Sequence, residues 1–314
     1  MTKAINGKVV KGLGGLYCVR TTEEGAPFLF SCRARGLFRH KDEKVLVGDL
    51  VRVTYDDSDP ENTAVIDEVL PRRSCLIRPP MANLDYLFCV IAAARPAPIL
   101  ETLDKLLAIA EHHGVEPIVI VTKADFGEEE SKKYTDLYRQ VGLRVFCVSG
   151  ETGTGVGELR AYLDGILREG HSAAFAGASG VGKSTLLNAL FPHLCLATNT
   201  ISARIERGRH TTRHVELYEV GEGANPGYLA DTPGFSMLDF AHFDFFELED
   251  LFDAFREFRP YLGKCRYGDC THTGEGAREC AIARAVEEGE IAPSRHESYK
   301  KLWHVLYTKK HTYQ

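Results

Sequence analysis

The stretch Gly177-Ala178-Ser179-Gly180-Val181-Gly182-Lys183-Ser184-Thr185 fits the pattern G-x-x-x-x-G-K-[ST] in full. An apolar run ending at Ala176 precedes it and a helix-compatible stretch, 184–190, follows, which is the strand–loop–helix context that such a loop needs. Its glycines let successive backbone N–H groups turn toward phosphate oxygens without Cβ clashes, and the helix N-terminus adds a favourable dipole. Lys183 is then placed to reach the β- and γ-phosphates of a nucleotide, and the Ser184 hydroxyl to bind Mg²⁺. Asp231-Thr232-Pro233-Gly234 follows a second apolar run, 228–230. An aspartate there can hold the same Mg²⁺ through water, and the Gly234 N–H can meet the γ-phosphate. Between the two, Gly208-Arg209-His210-Thr211-Thr212 offers Thr211 or Thr212 as the threonine that caps Mg²⁺ and γ-phosphate.

None of these residues chooses a base. Thr122-Lys123-Ala124-Asp125, after the apolar run 118–121, resembles the Asn-Lys-x-Asp motif of GTPases, with threonine in place of the usual asparagine. A carboxylate at Asp125 accepts two hydrogen bonds from the N1–H and exocyclic amine of guanine, whereas adenine leaves it unpaired. The Lys123 stem can lie along the base, and Ser149-Gly150, after the next apolar run, resembles the loop that supports the guanine O6. The order is unusual: the base motif precedes the phosphate loop, the reverse of ordinary GTPases. One sheet can still be built if the chain enters it at a different strand, as in a circular permutation.

A second chemistry lies near the C-terminus. Cys265, Cys270, His272 and Cys280 supply three thiolates and one imidazole, a set that suits tetrahedral Zn²⁺ in a structural role. The other six of the nine cysteines are scattered, which does not suggest a secreted disulfide framework.

These groups need elements to carry them. Residues 1–70 read as short strands with turn signals, a small β-barrel of OB-fold or SH3-like type. Residues 72–80, with three arginines and two prolines, read as a linker. From residue 86 apolar runs alternate with helical segments (86–92, 117–121, 143–148 and 171–176 as strands; 131–141, 157–167 and 184–190 as helices), implying an α/β, mostly parallel sheet. Leu103, Leu106, Leu107 and Ala110 share one helix face. After about 240 the chain turns helical. The expected domains are 1–72, 73–240 and 241–314.

The net charge of −6 excludes a uniformly basic nucleic-acid binder. Two local patches remain: Arg33, Arg35, Arg39, Lys41 and Lys44 around Phe38, and Arg295, Lys300, Lys301, Lys309 and Lys310 interleaved with Trp303, Tyr307 and Tyr313. Basic groups mixed with aromatics suit RNA. The N-terminus lacks a signal-peptide core, and no apolar run approaches the roughly 18 residues of a membrane span. A cytoplasmic protein without membrane contact is expected.

The permuted motifs, the barrel and the Cys/His cluster, together with Ala34-Arg35-Gly36-Leu37-Phe38-Arg39-His40, Arg78-Pro79-Pro80-Met81-Ala82-Asn83-Leu84-Asp85 and Arg209-His210-Thr211-Thr212, resemble the small ribosomal subunit biogenesis GTPases of the RsgA family. The resemblance covers essentially the whole chain. It implies an OB-fold first domain, a permuted P-loop GTPase domain and a mainly helical zinc domain. It also implies GTP hydrolysis stimulated by the small ribosomal subunit and its rRNA, acting in late maturation and coupled to release, by an expected monomer. Phe235 stands where many GTPases place a water-orienting glutamine; the family shares this apolar replacement, and His210 is the candidate to orient the water instead. A P-loop small-molecule kinase and a nucleotide-gated RNA-binding module with negligible hydrolysis are the competing readings. The kinase leaves the base motif, the barrel and the cysteine cluster unexplained.

Overall fold

A computed structural model describes residues 2–21, 28–35, 44–56, 58–59, 63–192, 215–221, 226–231 and 245–312. The chain forms two compact units that are discontinuous in sequence. One draws on 1–86, 161–175 and 203–234, the other on 87–160, 176–202 and 235–314.

The first unit contains β1 (Thr2–Leu13), β2 (Leu16–Thr21), β3 (Phe28–Ala34), β4 (Leu50–Asp56) and β5 (Val65–Val69). They close in the order β1-β2-β3-β5-β4-β1, with β3 and β5 parallel. That parallel closing pair settles the barrel type as the OB-fold, because a simple meander has none. Period-2 alternation drives it: Val51 and Val53 are fully buried while Arg52 between them points outward. They pack with Val9, Val19, Phe30, Cys32 and Ile66. Gly7 sits where β1 and β2 come closest; a Cβ there would lie 2.5 Å from Val19 Cγ1 and 2.7 Å from the Arg20 carbonyl oxygen.

Residues 72–80 are not a linker. Arg72 forks onto the fully buried Asp49 carboxylate (Nε to Oδ1 2.7 Å, Nη2 to Oδ2 2.8 Å), and it also donates to the Lys44 carbonyl. β6 (Cys75–Leu76) pairs antiparallel with β7 (Met81–Ala82). A buried carboxylate needs a fixed cation, so the arginine that resembles linker charge anchors this segment to the barrel.

The same unit holds β11 (Ser172–Ala176), β12 (Glu216–Val220) and β13 (Gly227–Asp231). β11 and β13 run parallel, and β12 pairs antiparallel with both β13 and β1. Lys8 of β1 donates to Ser172 Oγ at 2.6 Å and lies over the Tyr228 ring at 4.4 Å. Burial lowers the Lys8 ammonium from 10.5 to about 8, against the opposing pull of the Asp85 carboxylate. In the window between these values the unfolded chain binds more protons than the folded one, so stability rises as pH climbs from about 8 to 10.5. At pH 7 the buried charge costs on the order of 3 kcal/mol. Lys8→Met is expected to flatten that rise, read from urea unfolding free energies at pH 7.5 and 9.5; an unchanged slope would assign it to other groups.

The second unit contains β8 (Tyr86–Ala92), β9 (Glu116–Thr122) and β10 (Arg144–Cys147), of which β9 and β10 are parallel in register Ile118↔Arg144. β9 is buried from Pro117 to its end, as a strand covered on both faces must be. Among the described residues the α-helices are α1 (Leu100–His112), α2 (Glu128–Gln140), α3 (Val156–Arg168), α4 (Lys183–Leu190), α5 (Ala281–Glu287) and α6 (Pro293–Thr312). The expected face of α1 is the buried one: Leu103, Leu106, Leu107 and Ala110 are at most 2% exposed.

Arg295 of α6 is not a surface cation. It is buried, stacks on Phe255 at 4.5 Å, and pairs with Asp104 of α1 (2.7 Å) and Glu257 (2.6 Å). The Tyr138 hydroxyl of α2 donates to the same Asp104 carboxylate at 2.9 Å. Arg256 bridges Glu111 and Glu116 nearby. An ion pair this deep adds little net stability, but breaking it would leave a naked charge. It therefore holds the C-terminal helix in one register on α1 and α2. Among the described residues no helix is long and apolar enough to cross a membrane.

Candidate nucleotide site and metal centre

The loop 177–182 turns on three glycines with positive φ, Gly177 (152°), Gly180 (77°) and Gly182 (93°). A Cβ at Gly177 would meet the Val90 carbonyl oxygen at 2.3 Å, so glycine is required by the close approach as well as by the turn. The Lys183 ammonium curls over its own loop, donating to the carbonyls of Gly177 (2.5 Å) and Ala178 (2.9 Å), and burial lowers its pKa.

The base motif meets this loop directly. Thr122 is buried, and its Oγ1 lies 2.9 Å from the Ile91 carbonyl oxygen and also against that of Val181. The threonine that replaces asparagine thus ties the end of β9 to the end of β8 and to the phosphate loop. Lys123, in the left-handed region at φ 59°, sends its ammonium to the carbonyls of Gly180 (2.9 Å) and Arg95. Its stem is thereby stretched between the two motifs. Ala124 opens the 3-10 turn Ala124–Phe126 that carries Asp125. Ser149 is buried and its Oγ accepts from the Thr152 N–H. A Cβ at Gly150 would sit 3.1 Å from Thr185 Cγ2, so the loop after β10 packs against the start of α4.

Together these residues enclose a cleft of roughly 760 Å³, within the range of small-ligand sites. Thr122, Lys123, Asp125, Ser149 and Gly150 line one side, and Ser179, Gly180, Gly182, Lys183, Ser184 and Thr185 the other. Ala178 and Val181 belong to the loop itself, with Val181 buried. Phe126 and Glu151 also line the cleft and were not anticipated. Each directly follows an expected site residue, which is the one signal that could have found them. Asp231 ends β13 opposite Glu216. His210, Thr211, Thr212, Gly234 and Phe235 lie outside the described residues.

Cys265, Cys270, His272 and Cys280 come together with their ligand atoms all within 4.8 Å of one another. His272 Nδ1 lies 3.5, 3.4 and 3.4 Å from the three sulfurs. One imidazole nitrogen has a single proton or lone pair to offer and cannot bond three sulfurs at once. A tetrahedral ion with ordinary zinc bond lengths puts nitrogen and sulfur about 3.6 Å apart, so the donor set fits a shared central metal. Backbone N–H groups of Ala281 and Ala283 donate to Cys265 Sγ (3.3 Å) and Cys280 Sγ (3.4 Å). The seven-residue interval before Cys280 is organised by Glu275, whose carboxylate accepts from the N–H groups of Thr271 (2.8 Å) and Thr273 (3.0 Å). Burial works to raise that carboxyl, but backbone donors outweigh it and hold it at about 2.

The basic patches are less free than their composition implies. Arg35 pairs with Asp67, Lys300 with Glu297, Lys301 with Glu101 and Lys310 with Glu249. Arg33 is exposed, Trp303 stacks on Tyr307 at 4.7 Å, and Phe38, Arg39, Lys41 and Tyr313 lie outside the described residues.

Residues 69–241 match the family model described as RsgA GTPase, and residues 6–65 that of the RsgA N-terminal domain. Proteins named small ribosomal subunit biogenesis GTPase RsgA are similar over most of the chain. The one from Alkaliphilus metalliredigens is 37% identical, covering 94% of this chain and 96% of its own. Those from Bacillus cereus and Halalkalibacterium halodurans are 40% and 41% identical, covering 94% and 93% of this chain and 95% and 94% of theirs. Among solved structures, YjeQ from Thermotoga maritima superposes with a TM-score of 0.76 at 32% identity, covering 97% of this chain and 99% of that one. YloQ, described as a circularly permuted GTPase, gives 0.74 at 31%, covering 98% and 96%.

Proposed function

Since this chain belongs to the RsgA GTPase family, we propose that it hydrolyses GTP to GDP and phosphate during late maturation of the small ribosomal subunit, with the subunit stimulating hydrolysis and hydrolysis driving release. The observation that carries this is the single cleft in which Asp125 and Lys183 both stand. Asp125 accepts the guanine edge, and Thr122 and Lys123 hold its loop against the phosphate loop. Lys183 leaves the Gly177 and Ala178 carbonyls for the β- and γ-phosphates and neutralises charge that builds up between them. Ser184 would hold Mg²⁺ directly and Asp231 through water, and the ion would supply Lewis-acid stabilisation of charge on the phosphate oxygens. Thr211 or Thr212 closes over the γ-phosphate. Phe235 cannot polarise water, and His210 orients the attacking water in its place.

Cys265, Cys270, His272 and Cys280 hold a structural Zn²⁺ that shapes the C-terminal module. The exposed face of the barrel around Arg33 and the aromatic, basic end of α6 meet rRNA. The protein acts as a cytoplasmic monomer. With no glutamine to orient water, the isolated protein turns over slowly. Purified small subunits are expected to raise the rate of phosphate release from GTP by at least tenfold, a change of about 1.4 kcal/mol in barrier. Equal rates with and without subunits would remove the ribosomal assignment.

A further inference from the structure

Phe126 is 70% exposed, more than Ile99, Leu262 or any other large apolar side chain exposed among the described residues. Leaving a phenyl ring in water forfeits about 2 kcal/mol of burial. Most exposed apolar residues sit singly on convex surface and need no explanation. This one lines the cleft, immediately after the carboxylate that selects the base. A short 3-10 turn fixes it there, closed by the Phe126 N–H donating to the Lys123 carbonyl at 3.1 Å. The Lys123 stem is stretched along the same cleft by its contacts to Gly180 and Arg95.

We infer that Phe126 is a nucleotide-binding residue whose ring packs on the face of the bound purine, the flat apolar surface that Asp125, recognising only the edge, leaves uncovered. This rests on the guanine-nucleotide reading of the cleft. Two chemistries then divide the base: Asp125 reads the edge and discriminates, while Phe126 covers a face and adds affinity without discrimination. A π-face contact is common to all purines, and stacking of a base on an aromatic ring is worth a factor of roughly 5 to 150 in affinity.

The test uses the full-length protein and isothermal titration with GDP, IDP and inorganic tripolyphosphate. Phe126→Ala is expected to weaken GDP and IDP equally, by at least fivefold, and to leave tripolyphosphate binding unchanged. The melting temperature of the nucleotide-free protein should also stay the same, because an exposed ring supports no core. Phe126→Trp is expected to restore GDP affinity. GDP affinity within twofold of the parent in Phe126→Ala would overturn the inference, as would an equal loss of tripolyphosphate binding, which marks a collapsed loop. Asp125→Asn, measured alongside, separates the two levels. If it changes guanine preference while Phe126→Ala changes nothing, only the stacking role fails. If Asp125→Asn leaves guanine preference intact, the guanine reading of the cleft fails first.

Discussion

Asp125→Asn is expected to move the nucleotide preference of this protein from guanine to xanthine. The carboxylate accepts two hydrogen bonds from N1–H and the exocyclic amine of guanine. An amide keeps one acceptor and presents a donor where the amine also donates, so one contact becomes a clash of like groups. Xanthine carries a carbonyl at that carbon and restores the match. Mispairing a polar group in a dry site costs several kcal/mol, so GDP affinity should fall by about a hundred- to a thousandfold while XDP affinity rises. Competition of each diphosphate against a fluorescent GDP analogue reads both numbers. The fold should be unaffected, because the residues that lock this loop are Thr122 and Lys123, whose bonds run to Ile91, Val181, Gly180 and Arg95. A variant that still prefers GDP would show that Asp125 does not touch the base.

Cys280→Ser carries the second large effect, and it should be confined to one module. Cys280 is buried, caps the first turn of α5 through the Ala283 N–H, and supplies one of the four donors around the proposed zinc. Metal binding in small Cys/His modules contributes on the order of 10 kcal/mol to folding, and a serine hydroxyl is a far poorer ligand than a thiolate. The variant is expected to lose the stoichiometric zinc of the parent and to become protease-sensitive between 262 and 292. The C-terminal helix should stay in place, because Arg295 remains paired with Asp104 and Glu257. Metal analysis and limited proteolysis of the full chain check this. Full metal content with unchanged proteolysis would exclude Cys280 as a ligand.

The Arg295 network also bears on how the parts communicate. It joins the helix that follows the metal module to α1 and α2, and α2 starts directly after the turn that carries Asp125. The Cys/His module and the Asp125 side of the cleft thus belong to one packed unit. The packing links the two through a buried arginine.

Chemistry written in neighbouring residues was legible without coordinates. The phosphate loop, the base motif and the Cys/His set each consist of side chains a few positions apart, and local backbone geometry is enough to converge them. The barrel and the buried strands were legible too, because alternation and apolar runs are short-range signals. What tertiary structure alone decided was which distant residue stands beside which. It closed the barrel through a parallel β3–β5 pair, and turned Arg72 from linker charge into the partner of buried Asp49. It took Arg295 out of the basic tail into the core, and set the Thr122 hydroxyl against carbonyls 31 and 59 positions away. It also left Phe126 exposed in the cleft. Composition assigns an arginine to the surface and a phenylalanine to the core, since desolvating a charge costs energy and burying a ring returns it. Only the full packing shows where a partner cancels the first cost, or where a ring is left without the second gain.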